Sequence, residues 1–143
     1  MNFFLFIHLV GFALGFGTVL FIDAVGALWV WRKVKATQLM WLSGVGQWLI
    51  WLAVALQLVS GAYLLDPSKL TWRTEIKLVA VVILIVNGIV LDQIRKAVIA
   101  SKVEDFWRLP RGLQLRSVAS ISLSQACWWT AVIIGFLTSL ARG

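Results

Sequence analysis

Four stretches of this chain, at about 2–31, 42–65, 75–94 and 118–140, are long, apolar and nearly free of charge. No other feature restricts the fold as much. About 20 apolar residues in a helix cross the hydrocarbon core of a bilayer. No water reaches backbone N–H and C=O groups there, so a spanning segment must satisfy them within itself, as a helix does. Four such segments and their connections use nearly all of the 143 residues. The expected fold is all-α: a single integral membrane domain built as a four-transmembrane-helix bundle.

Composition points the same way. Hydrophobic residues make up 61% of the chain and charged residues 13%, about half the charged share of an ordinary soluble domain. A soluble globular domain, a disordered chain and a nucleic-acid-binding module are excluded. The net charge of +7 would suggest nucleic acid in a soluble protein. Here the cations flank apolar stretches, so the expected partners are the lipid bilayer and its anionic headgroups. The first stretch lacks a basic leading region and is too long for a cleaved signal peptide, so it reads as a span. The lone Cys127 rules out an internal disulfide or a multi-thiolate metal site and reads as a small apolar helix residue.

The connections set the expected orientation. Arg32, Lys33 and Lys35 lie between spans 1 and 2. Arg95, Lys96, Lys102, Arg108, Arg111 and Arg116 lie between spans 3 and 4. Lys69, Arg73, Lys77 and Arg142 fall on the other side. The positive-inside rule then places both basic connections in the cytoplasm and both termini outside, in an inner (plasma) membrane. Residues 93–107 lack Gly and Pro, with Ile94, Val98, Val103 and Trp107 at roughly helical spacing. Span 3 is therefore expected to extend beyond the membrane, or a short interfacial helix to follow it, before Pro110 and Gly112 turn the chain into span 4. The Asp66–Pro67 pair should end span 2.

The tryptophans sort by depth. Trp29, Trp31 and Trp41 fall near the inner boundary, Trp72 with Tyr63 near the outer one, and Trp107 on the inner connection, as in an interfacial belt. Trp48, Trp51, Trp128 and Trp129 lie deeper, and packing on the bundle is their favoured use. Gly11 and Gly15 form a GxxxG, a spacing that lets helix backbones approach closely. Packing within the monomer is the favoured reading; a homo-oligomer interface is the sharper alternative.

Polar groups inside the spans carry more information, because an ionisable side chain in hydrocarbon costs about 2.5–3.5 kcal/mol on the insertion scale. Asp23, Gln47, Asn87 and Gln125 each lie eight or nine residues from the inner rim, roughly 12–14 Å at the helical rise. Each helix could thus contribute one side chain to a midplane polar layer, with amides donating to the carboxylate. Such a layer is either a structural hydrogen-bond cluster or an ion or proton site. His8 lies 15 residues before Asp23 on a similar face, about 22 Å away along the axis, too far to share a metal. With Glu75 and Lys77 it forms a candidate outer point of access, or simply sits among headgroups. Asp92 is placed to pair with Arg95 or Lys96. No catalytic triad, phosphate loop or metal-ligand motif is present, so no catalytic, cofactor-binding or metal residue is predicted and enzyme readings are weak.

Three short segments carry a resemblance. They are His8 to Gly11 with the following glycines and Asp23, Ser60 to Leu65, and Lys77 with Asn87 and Gly88. Together they resemble small four-helix bacterial integral membrane proteins distantly similar to the membrane domain of copper-resistance protein D. The resemblance spans about two-thirds of the chain, helices 1 to 3. It implies a four-helix bacterial inner-membrane protein and brings no particular activity.

Three functional classes follow. The first is a non-enzymatic and oligomeric membrane protein whose polar layer supports ion, proton or small-solute movement. The second is a structural or accessory subunit of a larger membrane complex. The third, a remote alternative, is a b-type haem carrier, which would need His8 from two subunits or another axial ligand.

Overall fold

The computed structural model describes residues 3–140, apart from the side chains of Lys69, Ser139 and Leu140. Asn2 and Arg142 lie outside the described residues. Helices α1 (Phe3–Val30), α2 (Ala36–Leu64), α3 (Trp72–Ser101) and α4 (Arg111–Leu140) run up and down, with no strand among the described residues. All four are long and apolar enough to cross a membrane, and at most 22% of the residues in each apolar window are buried inside the protein. Many of the others face outward. On α3, Val82, Val86 and Ile89 make such a stripe, each more than half exposed, which suits lipid as the surrounding solvent. The protein is a multi-pass membrane four-helix bundle.

The helices exceed the apolar spans at the end that bears the α1–α2 and α3–α4 connections, here called the connection end. α2 starts at Ala36, not near residue 42, and α4 at Arg111, not near 118. Hydropathy marks only the part of a helix that lies in hydrocarbon, and polar first turns remain helical outside it. α3 extends to Ser101, where Lys102 closes it in the left-handed region at φ 53°. A single 3₁₀ turn at Phe106–Arg108 follows instead of an interfacial helix. Pro110 stands just before α4, but Gly112 lies inside that helix rather than in the turn. At the opposite end α2 stops at Leu64. Asp66 then accepts from Ser68 N at 3.0 Å and starts the short Pro67–Lys69 turn.

Helix α1 lies closely along α2 because small residues face each other. A Cβ built on Gly11 would stand 3.0 Å from Leu56 Cβ and 3.3 Å from Ala53 O. One on Gly15 would stand 3.0 Å from Ala53 Cβ, and one on Gly46 would fall 2.5 Å from Ile22 Cδ1. The GxxxG is thus used inside the monomer, against α2. At the part of this seam far from the connection end Gln57 Nε2 donates to His8 O at 2.6 Å.

The connection end is packed as a cap. Trp29, Ala36, Leu39, Ile94, Val98, Phe106 and Leu109 form one buried cluster. Trp29 therefore does not belong to an exposed belt: it is 5% exposed, edge-on to Phe106 with ring centroids 5.2 Å apart. Glu104 sits at the centre of this cap. Its carbonyl accepts from Trp29 Nε1 at 2.8 Å and from Ala36 N at 3.2 Å. Its carboxylate accepts from Thr37 N at 3.1 Å and from the Thr37 hydroxyl. Amides at the start of α2 thus find their acceptors on a residue 67 or 68 positions later, and the negative charge favours that helix end. Arg32 pairs with Asp105 at 3.2 Å, and Trp107 Nε1 donates to Val30 O at 2.9 Å. Lys102, Arg108, Arg111 and Arg116 remain exposed.

The Thr37 hydroxyl, then the Thr37 amide, hold the Glu104 carboxyl below its ordinary range, with the Lys35 charge and the Ala36 amide adding to them. A lowered folded-state pKa contributes stability above the ordinary glutamate value and loses it as pH falls through the lowered one. The difference in thermal midpoint between wild type and Glu104→Gln should therefore shrink on acidification through that window. A constant difference at all pH values would show that the carboxylate charge is not what the cap uses.

The close seam makes a second prediction. Gly15→Leu and Gly46→Leu should each lower stability in detergent, typically by about 1–3 kcal/mol for an overpacked contact. Gly17→Leu should leave it nearly unchanged, because nothing lies within 4 Å of its Cβ position. Thermal melting of the three variants side by side checks the ordering.

Candidate functional site

The close pairing of α1 with α2 and the pairing of α3 with α4 leave a gap between the two hairpins. A cavity of about 360 Å³ fills it, lined by all four helices. It extends from the cap at the connection end to about mid-bundle, where Trp51 and Trp128 line it. The Trp51 ring rests on Gly88, 3.4 Å from where a Cβ would stand. The Trp128 ring covers Gly15, where a Cβ would come within 2.8 Å. Phe12 and Phe16 flank Trp128 at centroid distances of 5.6 and 5.9 Å. Most of the wall is aliphatic.

Asp23, Gln47 and Asn87 line this cavity, and Gln125 stands beside it. Gln125 Nε2 donates to Asp23 Oδ2 at 2.5 Å, and Gln125 Oε1 accepts from Trp129 Nε1 at 3.1 Å. One amide thus ties α1 to α4 and has both ends engaged. The other two amides do not donate to the carboxylate. Asn87 Nδ2 donates to Ser120 O at 2.8 Å, and Gln47 Nε2 reaches Gly88 O at 3.5 Å. Backbone carbonyls of the neighbouring helices are nearer than Asp23. On α4 the two contacts lie five residues apart, about 7 Å along the axis, so the polar groups form a slanted set rather than a flat layer. No described residue bonds Asp23 Oδ1, yet no buried side-chain oxygen or nitrogen lacks a partner. Oδ1 is therefore accessible, at a residue that lines the cavity.

A row of serines on α4 escaped the sequence reading. Ser117, Ser120 and Ser124 are all buried, and Ser117 and Ser124 line the cavity. Their i, i+3, i+7 spacing was the available signal. Serine is small enough to pass as a packing residue and bonds its own helix, as Ser117 Oγ does to Leu113 O at 2.8 Å. Arg95 does more than pair with Asp92 at the rim. It lines the part of the cavity nearest the connection end and lies over Gly44 of α2, with Nη1 3.2 Å from that residue's Cβ position. Asp92 holds it at 2.8 Å and also pairs with Lys96 at 2.6 Å.

The deep tryptophans divide. Trp51 and Trp128 line the cavity, whereas Trp48 is 80% exposed and Trp129 about half exposed. Packing on the bundle is thus not the use of Trp48. Cys127 is buried. At the α2–α3 end, His8 Nδ1 lies 3.0 Å from Ser60 Oγ, a wholly buried group. The hydrogen bonds of His8 thus run to α2. Glu75 is exposed in the first turn of α3, and Lys77, two residues further on, is half-buried.

No protein family, curated protein or solved structure matches this chain.

The Asp23–Gln125 bond yields a measurable coupling. Asp23→Leu should destabilise by about 1–3 kcal/mol through stranding the Gln125 donor, and Gln125→Leu by a similar amount. The double variant should lose less than the sum. Unfolding in mixed micelles measures the cycle, and simple additivity would show that the bond contributes nothing.

Proposed function

We propose that this protein moves ions, protons or small solutes across a bacterial inner membrane, with the connection end in the cytoplasm and Asp23 as the working group. The observation that carries this reading is the accessible oxygen of Asp23 at a four-helix cavity inside an apolar bundle. A purely structural carboxylate would be expected to have both oxygens engaged, since an unmet acceptor in the interior is costly. Intramembrane ionisable residues that face a cavity mark solute or proton paths more often than not. The cations of both connections support the orientation. The resemblance of α1 to α3 to small bacterial membrane proteins supports the setting. The unfilled space and the unengaged oxygen favour movement through the bundle over a passive accessory role.

In liposomes, Asp23→Asn should reduce proton- or cation-dependent flux at least tenfold while the melting midpoint stays near wild type. The amide keeps the shape of the carboxylate and removes its charge. A membrane-impermeant maleimide reacting with Lys33→Cys in a Cys127→Ala background, only from the cytoplasmic face of cells, fixes the orientation in the same protein. Unchanged flux in Asp23→Asn would overturn the reading.

A further inference from the structure

We infer that the core cavity binds a monovalent organic cation with an apolar body, its charge set against Asp23 and its body against the aliphatic wall and the rings of Trp51 and Trp128. This inference rests on the reading of Asp23 and its cavity as the functional site, and it names the class of solute that the site takes.

Size gives the first argument. The cavity holds about 360 Å³, within the range of roughly 300–1,000 Å³ typical of small-molecule sites. A proton needs none of that space, and a bare inorganic ion needs little of it.

The wall gives the second. Val19, Ile22, Ile50, Val54, Leu84 and Ile121 present hydrocarbon to the interior. A hydrated ion would hold its water against these groups. An organic body displaces water from them instead, and that transfer is favourable in proportion to the apolar area removed from water.

Charge gives the third. Among the described residues Asp23 is the only carboxylate that lines the cavity, and its Oδ1 accepts from no described residue and is not fully buried. A single negative group balances a single positive one. The opposing charge is Arg95, eight residues inward of Asn87 on α3, about 12 Å along the axis. It is already paired with Asp92, which also holds Lys96. One carboxylate shared by two cations leaves a net charge of +1 at the connection end of the cavity, so a bound cation sits toward Asp23 and the tryptophans and away from Arg95.

Coordination chemistry argues against a dehydrated divalent metal, which takes about six or more oxygen ligands. Among the described residues no three His, Cys, Asp or Glu side chains converge. Gln125 Oε1 is already an acceptor for Trp129. An organic cation needs no such shell, because its own C–H and N–H surface surrounds the charge. Indole faces attract it further, tryptophan being the strongest of the aromatic partners for a cation. Trp128 lies one turn from Gln125 on α4, on the side away from the connection end, so charge and ring fall within the reach of one small molecule.

Tetraphenylphosphonium and tetraphenylborate provide the test, since they share a shape and carry opposite charges. Equilibrium dialysis of the full-length protein in neutral detergent should show saturable binding of the phosphonium near one per chain, at least tenfold tighter than the borate. Asp23→Asn should weaken phosphonium binding at least tenfold, and Trp51→Phe should weaken it measurably with Asp23 in place. Melting curves of both variants confirm that they are folded; if Asp23→Asn is not, the Trp51→Phe result and the ratio of the two ions decide. Equal binding of both ions, or phosphonium binding unchanged in both variants, overturns the inference. Flux that depends on Asp23 without phosphonium binding overturns the organic-cation class alone. Phosphonium binding that depends on Asp23 without any flux supports the site and overturns only the transport reading.

Discussion

The close approach of α1 and α2 sets the rest of the bundle. Lipid offers no hydrophobic drive between helices, so association relies on backbone proximity and on van der Waals contact. Gly11, Gly15 and Gly46, with Ala53, give that proximity along a single seam. α3 and α4 pair by a different device: Asn87 reaches a backbone carbonyl of α4. Two hairpins with unequal spacing cannot also close tightly on each other along their whole length. Large rings, Trp51 and Trp128, fill the middle of the gap, and below them space is left. The cavity is thus the geometric remainder of a tight seam on one side.

Many polar groups in the hydrocarbon depth are met at least in part by backbone carbonyls. Serine and threonine hydroxyls bond carbonyls of their own helices, as Thr18 does to Leu14 and Ser60 does to Leu56. Asn87 and Gln47 reach a neighbouring backbone. In both amides the nitrogen is met by the chain, while Asn87 Oδ1 and Gln47 Oε1, like Asp23 Oδ1, accept from no described residue. Asp23 differs because it is the carboxylate among them, and Gln125 meets one of its two oxygens. A group left half-solvated in this medium is where an added molecule gains most, since any donor or cation that arrives replaces no protein contact.

The spans were legible because hydropathy reports where a chain meets hydrocarbon, and each of the four had length to spare. The ends were less legible because Ala36 to Trp41 and Arg111 to Ser117 are helical but polar enough to leave the membrane. Depth could be counted, which placed Asp23 near Gln125. Rotation about the helix axis could not, and rotation sends Gln47 and Asn87 to backbone carbonyls. The same limit separates Trp29 from Trp31. Two residues apart on one helix, the first is enclosed by Phe106 and the second is 69% exposed. Glu104 gave no signal, because an acidic pair, Glu104 and Asp105, in a basic loop resembles any solvated charges. Its role depends on Thr37 and Trp29, which only the folded chain brings to it.

Glu104 also bears on the order in which the chain is made. The N-terminal amides of α2 lack acceptors within their own helix, and those of Ala36 and Thr37 are met by a residue that follows the whole of α3. During synthesis the first hairpin therefore exists for a time with an uncapped helix end, and that end must stay where water can serve it. Only after the third helix has been made can the cap dock on the start of α2. The start of α2 is thus fastened last, by a distant loop. A chain truncated before Glu104 would retain its first two apolar helices but not this fastening.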